Sequence, residues 1–167
     1  MVTINRLRRA ARHGLATAGV LAGAAFFVAT GANAGQCPNA NFVPDGLGQK
    51  PGATMPKDVT DTVLASIDLA NEPVALLDRL FRMRRLVIEP GGEVPWHSHD
   101  DRPALIYVVQ GEVTEYASNC EIPIVHKAGG VAPEAKGTSH WWKNTGDTTA
   151  VLISADLLRE EADARVM

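Results

Sequence analysis

Large rings and thiols are scarce in this chain. Aromatic residues occupy 5% of its 167 positions, and there are two cysteines. So few cysteines exclude a disulfide-dense miniprotein. The shortage of rings, set beside 15 glycines and 10 prolines, favours many turns and short strands over a helical bundle. There is no Gly-rich phosphate loop and no Ser/His/Asp nucleophile arrangement. A basic excess is also missing: the formal net charge is -3, which argues against nucleic acid as a partner. What is present suits one ordinary globular domain, because 46% hydrophobic residues can build a core and exclude a disordered chain.

The only long apolar run lies near the start. Arginines stand at positions 6, 8, 9 and 12, and a run rich in Ala and Gly follows from about Leu15 to Ala29. It closes on Gly31-Ala-Asn-Ala34. A basic segment, a short apolar segment and an Ala-x-Ala end form a secretory signal peptide over residues 1–34, cleaved after Ala34. The run is short for a membrane span, so no membrane segment is expected after cleavage and the protein is expected to be periplasmic or secreted. Arg8-Arg9 fits a twin-arginine signal poorly in its flanks, which leaves the export route open. Gln36 before Cys37 does not suit a lipoprotein site. The removed segment carries four arginines and no acid, so cleavage shifts the formal charge from -3 to -7. In an oxidising compartment, Cys37 and Cys120 are expected to pair as one disulfide.

Residues 35–58 hold four prolines and four glycines without periodicity and read as an extended arm. Phe42, Val43 and Leu47 are its candidate anchors to the domain. Beyond it, over 59–157, the pattern is β. Val63, Ala65, Ile67 and Leu69 alternate with polar residues, which predicts a half-buried strand. Further strands are predicted over 80–88, 104–109, 113–116, 122–126, 139–143 and 149–155, with Pro90-Gly91-Gly92 breaking the second and Pro133 read as a turn residue. Many short strands at close spacing predict an all-β sandwich or barrel. Residues 158–167 read as a short helix or a loose tail.

Chemistry concentrates at His97 and His99. On a strand, residues i and i+2 face the same way, so both imidazoles point to one side. Their Cα atoms would be about 6.5–7 Å apart, a reach that suits one shared metal. The surroundings repeat a pattern. Gly91, His97, His99 and Gly111 are followed by Gly129, Gly137, His140 and Asn144. This resembles the two motifs of the cupin superfamily, G-x5-H-x-H-x3-4-E-x6-G and G-x5-P-x-G-x2-H-x3-N, over about residues 86–146. The resemblance implies a small antiparallel jelly-roll barrel with a metal site inside it on His97, His99 and His140. It implies a homodimer as one oligomeric state.

Two positions depart from the motifs. The glutamate of the first falls on Ala104, or on Pro103 at the shorter spacing, and the proline of the second is Ala135, with Pro133 nearby. Losing that glutamate leaves three neutral imidazoles and an open site, which a catalytic metal keeps. Asp100 or Asp101 is the candidate replacement, though Asp101 can instead pair with Arg102. Trp142 shares parity with His140 and is expected inside, with Ile106 and Val108 lining the same cavity. Trp96 and Trp141 have the opposite parity. Asn144 reads as a turn residue, His126 is expected to be exposed, and Glu112 and Glu115 are expected to be solvated.

Imidazole ligation suits Fe, Cu, Ni or Zn better than Mg or Ca. Fe(II) is favoured if the protein is an oxygenase, with Zn, Ni, Cu or Mn as the other divalent metals. The expected function is an exported metal-binding cupin, either a dioxygenase-like metal-dependent oxidoreductase acting on a small organic molecule or a non-catalytic protein that binds a small ligand or the metal. A barrel without metal is the third reading, and the three histidines weigh against it.

Overall fold

The computed structural model of the chain describes residues 36–159. The signal peptide expected over residues 1–34 lies outside them, as do residues 160–167 of the expected tail. The described part is antiparallel β throughout apart from two short 3-10 turns. Eight strands form it: β1 (Lys57–Asp68), β2 (Arg79–Ser98), β3 (Ala104–Gln110), β4 (Glu112–Ala117), β5 (Ile124–Lys127), β6 (Val131–Glu134), β7 (Ser139–Lys143) and β8 (Ala150–Arg159). They pair in the order β5-β4-β7-β2-β8-β3-β6, with β1 on β2, and nearly close into a barrel.

Strand β2 is the hinge of this order. Its first half pairs with β8, from Arg79 opposite Arg159 to Ile88 opposite Ala150. Its second half pairs with β7, from Glu93 opposite Lys143 to Ser98 opposite Ser139. The change of partner falls at Pro90-Gly91-Gly92. The expected break is a bend inside one continuous strand. Gly91 has φ +77, which a side chain rarely tolerates, and a Cβ on Gly92 would come within 2.8 Å of the Asp58 and Glu89 carbonyl oxygens. The bend turns the strand's second half, with His97, across the barrel.

Alternation buries one face of the central strands. Ile88, Val108, Val113 and Ala150 are fully buried, and Val94 and Trp142 pack with them. A fully buried aliphatic side chain of this kind stabilises by about 1.5–3 kcal/mol. Strand β1 departs from expectation. Val63 and Ile67 stay about half exposed, at 53% and 48%, because β1 pairs only with β2. Strand β6 was read as a turn because of Pro133, yet it pairs with β3 along the end of the sheet order, where a proline costs no ladder bond. At the C-terminal end, residues 158 and 159 extend β8 rather than starting a helix.

The arm is docked mainly by its backbone. Val43 N–H donates to Asn119 O, Gly48 N–H to Ser118 O, and Glu121 N–H to Asn41 O. Phe42 and Leu47 remain exposed at 62% and 68%, so they are not the anchors expected from their apolarity. Gly48 lies so close to Cys120 that a Cβ would sit 2.4 Å from its carbonyl oxygen. Cys37 and Cys120 form the expected disulfide, 83 residues apart. Closing a loop of that length stabilises by roughly 4–5 kcal/mol at most. Thermal unfolding with and without reductant is therefore expected to show a clearly lower midpoint for the reduced protein; equal midpoints with both thiols titratable would remove the staple from the stability argument.

Candidate metal centre

Three strands aim side chains at one buried point. The bent second half of β2 brings His97, and His99 follows at its end. Strand β7 brings His140, directly opposite His97 in the register. Strand β6 brings Glu134. His140 Nε2 lies 3.0 Å from His99 Nε2 and 3.2 Å from His97 Nε2. The Glu134 carboxylate lies 3.0 Å from His99 Nε2 and 3.3 Å from His140 Nε2. All four donor atoms fall within 4.8 Å of one another.

Glu134 corrects the expectation of a site without its own carboxylate. It stands opposite Ala104 in the β3–β6 register, and Ala104 is where the cupin motif places its glutamate. The carboxylate has moved across the ladder to the neighbouring strand, where the small Ala104 side chain leaves it room. Sequence reading missed it because Pro133 disguised the strand. The one available signal was the alternation that puts Ala132 and Glu134 on one face. The candidate replacements are engaged elsewhere. Asp100 accepts from Gly137 N–H at 2.9 Å, and Asp101 pairs with Arg79 at 2.6 Å and Arg159 at 2.9 Å.

The ring orientations suit a cation. His97 Nδ1 is 2.8 Å from Pro95 O, and His99 Nδ1 is 2.7 Å from Arg102 O. A carbonyl only accepts, so each Nδ1 donates and each Nε2 turns its lone pair to the common point. Burial lowers both rings, His97 well below its ordinary value and His99 to about 3, and the neighbouring His140 adds to this. These two rings are neutral. Burial alone would also lower His140, but the carboxylates of Glu134 and Glu115 outweigh it and raise its pKa. Burial pushes Glu134 up to about 7, against the pull of His140. Buried lone pairs aimed at each other at 3.0–3.2 Å are unfavourable unless a proton or a cation lies between them. Donors about 2.1 Å from one ion and at right angles to each other stand about 3.0 Å apart, so the spacing fits a transition metal.

Two further expectations fail at this site. Glu115 is buried, with one oxygen 2.5 Å from His140 Nδ1 and the other 2.7 Å from His126 Nε2. His126 is fully buried and stacks on Trp142 at 4.5 Å. Both were read as solvent-facing. Strand β4 lies between β5 and β7, and that neighbourhood, invisible to local pattern, turns the side chains inward. Two ring donors hold the Glu115 carboxyl near 2 although burial alone would raise it. Trp142 is inside as expected, with its indole N–H 3.2 Å from His140 Nδ1. Asn144 is the expected turn residue, donating to Ile88 O and Thr148 O and accepting from Gly146 N–H.

A small cavity adjoins the cluster. It is lined by His97, Glu134, Arg84, Trp142, Ile106 and Leu152 among others. Val108 is buried but is not part of this wall. The cavity's volume is about 30 Å³, enough for about two waters. Arg84, on the wall, is tied to Asp61 and to Asp156 at 3.1 Å.

Comparison with known proteins agrees with this architecture. Residues 84–156 match the Cupin domain family. An oxalate-binding protein from Thermotoga maritima is 31% identical over 90 residues, which cover 54% of this chain and 71% of that protein. Among solved structures, a predicted oxalate decarboxylase from Thermotoga maritima aligns at a TM-score of 0.51 and 21% identity, covering 74% of this chain and 98% of its own. An uncharacterized protein with a double-stranded β-helix domain from Klebsiella pneumoniae gives 0.49 at 20% identity, covering 67% and 84%. The barrel, the converging histidines and these matches together make the chain a small cupin-domain protein, a member of the cupin superfamily.

Proposed function

We propose that this chain is an exported cupin that holds one divalent transition metal on His97, His99, His140 and Glu134 and binds a small carboxylate beside it. The convergence of three imidazoles and one carboxylate at a buried point, next to a cavity of only about 30 Å³, carries this reading. The mixed nitrogen and oxygen donor set widens the preference from Fe(II) to Mn(II) as well, because carboxylate is the harder ligand. Such an ion supplies a Lewis acid that polarises a bound oxygen. The chain's own residues do the rest. Pro95 O and Arg102 O hold two rings in donor-ready orientation, Trp142 and Ile106 keep the wall apolar, and Arg84 offers a cationic flank to an anion. The name of the oxalate-binding relative supports a dicarboxylate as the ligand.

Metal binding must displace the protons held near Glu134 and His140. Both groups are raised, Glu134 to about 7, so below that pH a proton competes with the ion. Apparent affinity for Mn(II) is therefore expected to rise with pH through about 7 and to level off only above the titrations of both groups, with proton release visible by calorimetry in buffers of different ionisation enthalpy. Replacing His97 and His140 together with alanine should abolish stoichiometric binding. E134Q should weaken it by more than the roughly 10–100-fold typical of an outer-shell change. Wild-type-like binding in the double variant would sink the site.

Oxalate is expected to bind the Mn(II)-loaded protein at one per metal and to ignore the metal-free protein, as titration calorimetry would show. Binding without metal would contradict the role given to the cluster. The oxidoreductase reading is favoured by the cavity's direct contact with His97 and Glu134. Oxygen uptake when Fe(II)- or Mn(II)-loaded protein meets oxalate in air identifies that activity, and intact binding without uptake identifies a non-catalytic binder.

Export is supported by the signal pattern of residues 1–34 and by the Cys37–Cys120 disulfide, which suits an oxidising compartment. Protein recovered from the periplasm or medium of its host should begin at Gly35 by N-terminal sequencing; full-length chain in the cytoplasm would refute this.

A further inference from the structure

The three rings at the centre are not held alike. His97 and His99 donate through Nδ1 to the main-chain carbonyls of Pro95 and Arg102. Those acceptors belong to the backbone and cannot be lost by a side-chain rotation. His140 Nδ1 instead meets a side chain, the Oε1 of Glu115 at 2.5 Å. The orientation of the His140 ring, and which nitrogen carries its hydrogen, therefore depend on where Glu115 is kept.

Glu115 is itself held from behind. Its Oε2 takes the Nε2–H of His126 at 2.7 Å, across the β4–β5 pair. His126 is fully buried, and its Nδ1 has no hydrogen-bond partner. A buried nitrogen without a partner destabilises the fold. Packing alone does not explain that cost, because a phenyl ring would stack on Trp142 equally well. What a phenyl ring lacks is the N–H that reaches Glu115. The stack is tight, at 4.5 Å and 20°, so Trp142 fixes the plane in which that N–H is delivered. Trp142 also meets His140 edge-on at 5.6 Å. The rings of His126, Trp142 and His140 thus enclose the carboxylate between them.

The geometry points to Glu115 as a positioning residue, clamped by His126, that holds His140 with Nδ1–H outward and the Nε2 lone pair toward His97, His99 and Glu134. Neither residue is one of the four donors. Both act through His140, and their contribution is the affinity of the centre rather than its composition. This rests on the reading of His97, His99, His140 and Glu134 as metal ligands. A glutamine at 115 keeps the shape but can accept from only one of the two rings. Its amide would point a hydrogen at the other ring's N–H, and one of the two rings must change its tautomer or turn away.

The test uses the full chain with Mn(II) alone as probe, together with 15N NMR of the histidine rings in the metal-free protein above the His140 titration. Metal-free wild type should show His140 as the Nδ1–H tautomer, and E115Q should show it mixed or inverted. E115Q should bind Mn(II) about 10–100-fold more weakly. H126F keeps the stack and removes the donor, and it should lose roughly tenfold. H126Q returns an N–H to Glu115 and should recover most of that loss. A purely structural role for the pair would lower the unfolding midpoint in all three variants without shifting the tautomer or separating H126F from H126Q. Folded E115Q with wild-type affinity and an unchanged tautomer overturns the inference. So does an Nε2–H His140 in the metal-free wild type, which requires no variant to fold. Failure of the wild type to bind Mn(II) would instead sink the metal reading, while the tautomer measurement, made without metal, still decides the positioning role.

Discussion

Four donor groups from three strands converge inside the barrel and turn their lone pairs on one another. His140 faces His99 at 3.0 Å and His97 at 3.2 Å at a buried point, and Glu134 closes the set. Buried lone pairs and a buried carboxylate are costly unless paired or bridged. The fold meets that cost with rigidity. The β2–β7 register sets His97 against His140, and the β3–β6 register sets Glu134 against Ala104. Each donor is thus fixed by a ladder of backbone hydrogen bonds rather than by its own side-chain freedom. This is the form of pre-organisation that makes a bound ion favourable.

The surroundings of the centre show the same economy. Several polar groups buried near it have two partners each: Glu115 has two histidines, Asn144 two carbonyls, and Asp156 the side chains of Arg82 and Arg84. Arg84 lines the cavity and is paired behind it with Asp61 and Asp156, so a cation stands there at low exposure without being left unpaired. The N-terminal arm is held differently. The arm is fastened to the β4–β5 connection by a disulfide and by backbone bonds, and its apolar side chains stay in solvent.

Much of this was legible along the chain. Alternation in β1, and β-rich runs between turn residues elsewhere, located seven of the eight strands, because strand composition and chain breaks are local features. The spacing of Gly91, His97, His99, Gly129, Gly137, His140 and Asn144 carried the family and three of the four donors. The presence of only two cysteines in a chain expected to be exported sufficed to predict the disulfide. These features are local, or depend on counting, and local physics sets them.

The rest required neighbours. A strand's alternation says which residues share a face but not which strand lies beside it, and burial of a charge follows from the neighbour. Glu134 looked like a loop residue until β6 paired with β3, and only the register shows that it occupies the place left by Ala104. Glu115 and His126 have the sequence context of surface residues, and they are buried because β4 lies between β5 and β7 with Trp142 against them. The apolar residues of β1 carry the pattern of a buried face and remain exposed, because β1 has β2 as its only pairing partner. Sequence alone determined which residues could face inward; the pairing of distant strands decided which of them meet, because contact energy and desolvation depend on what stands across the ladder rather than along it.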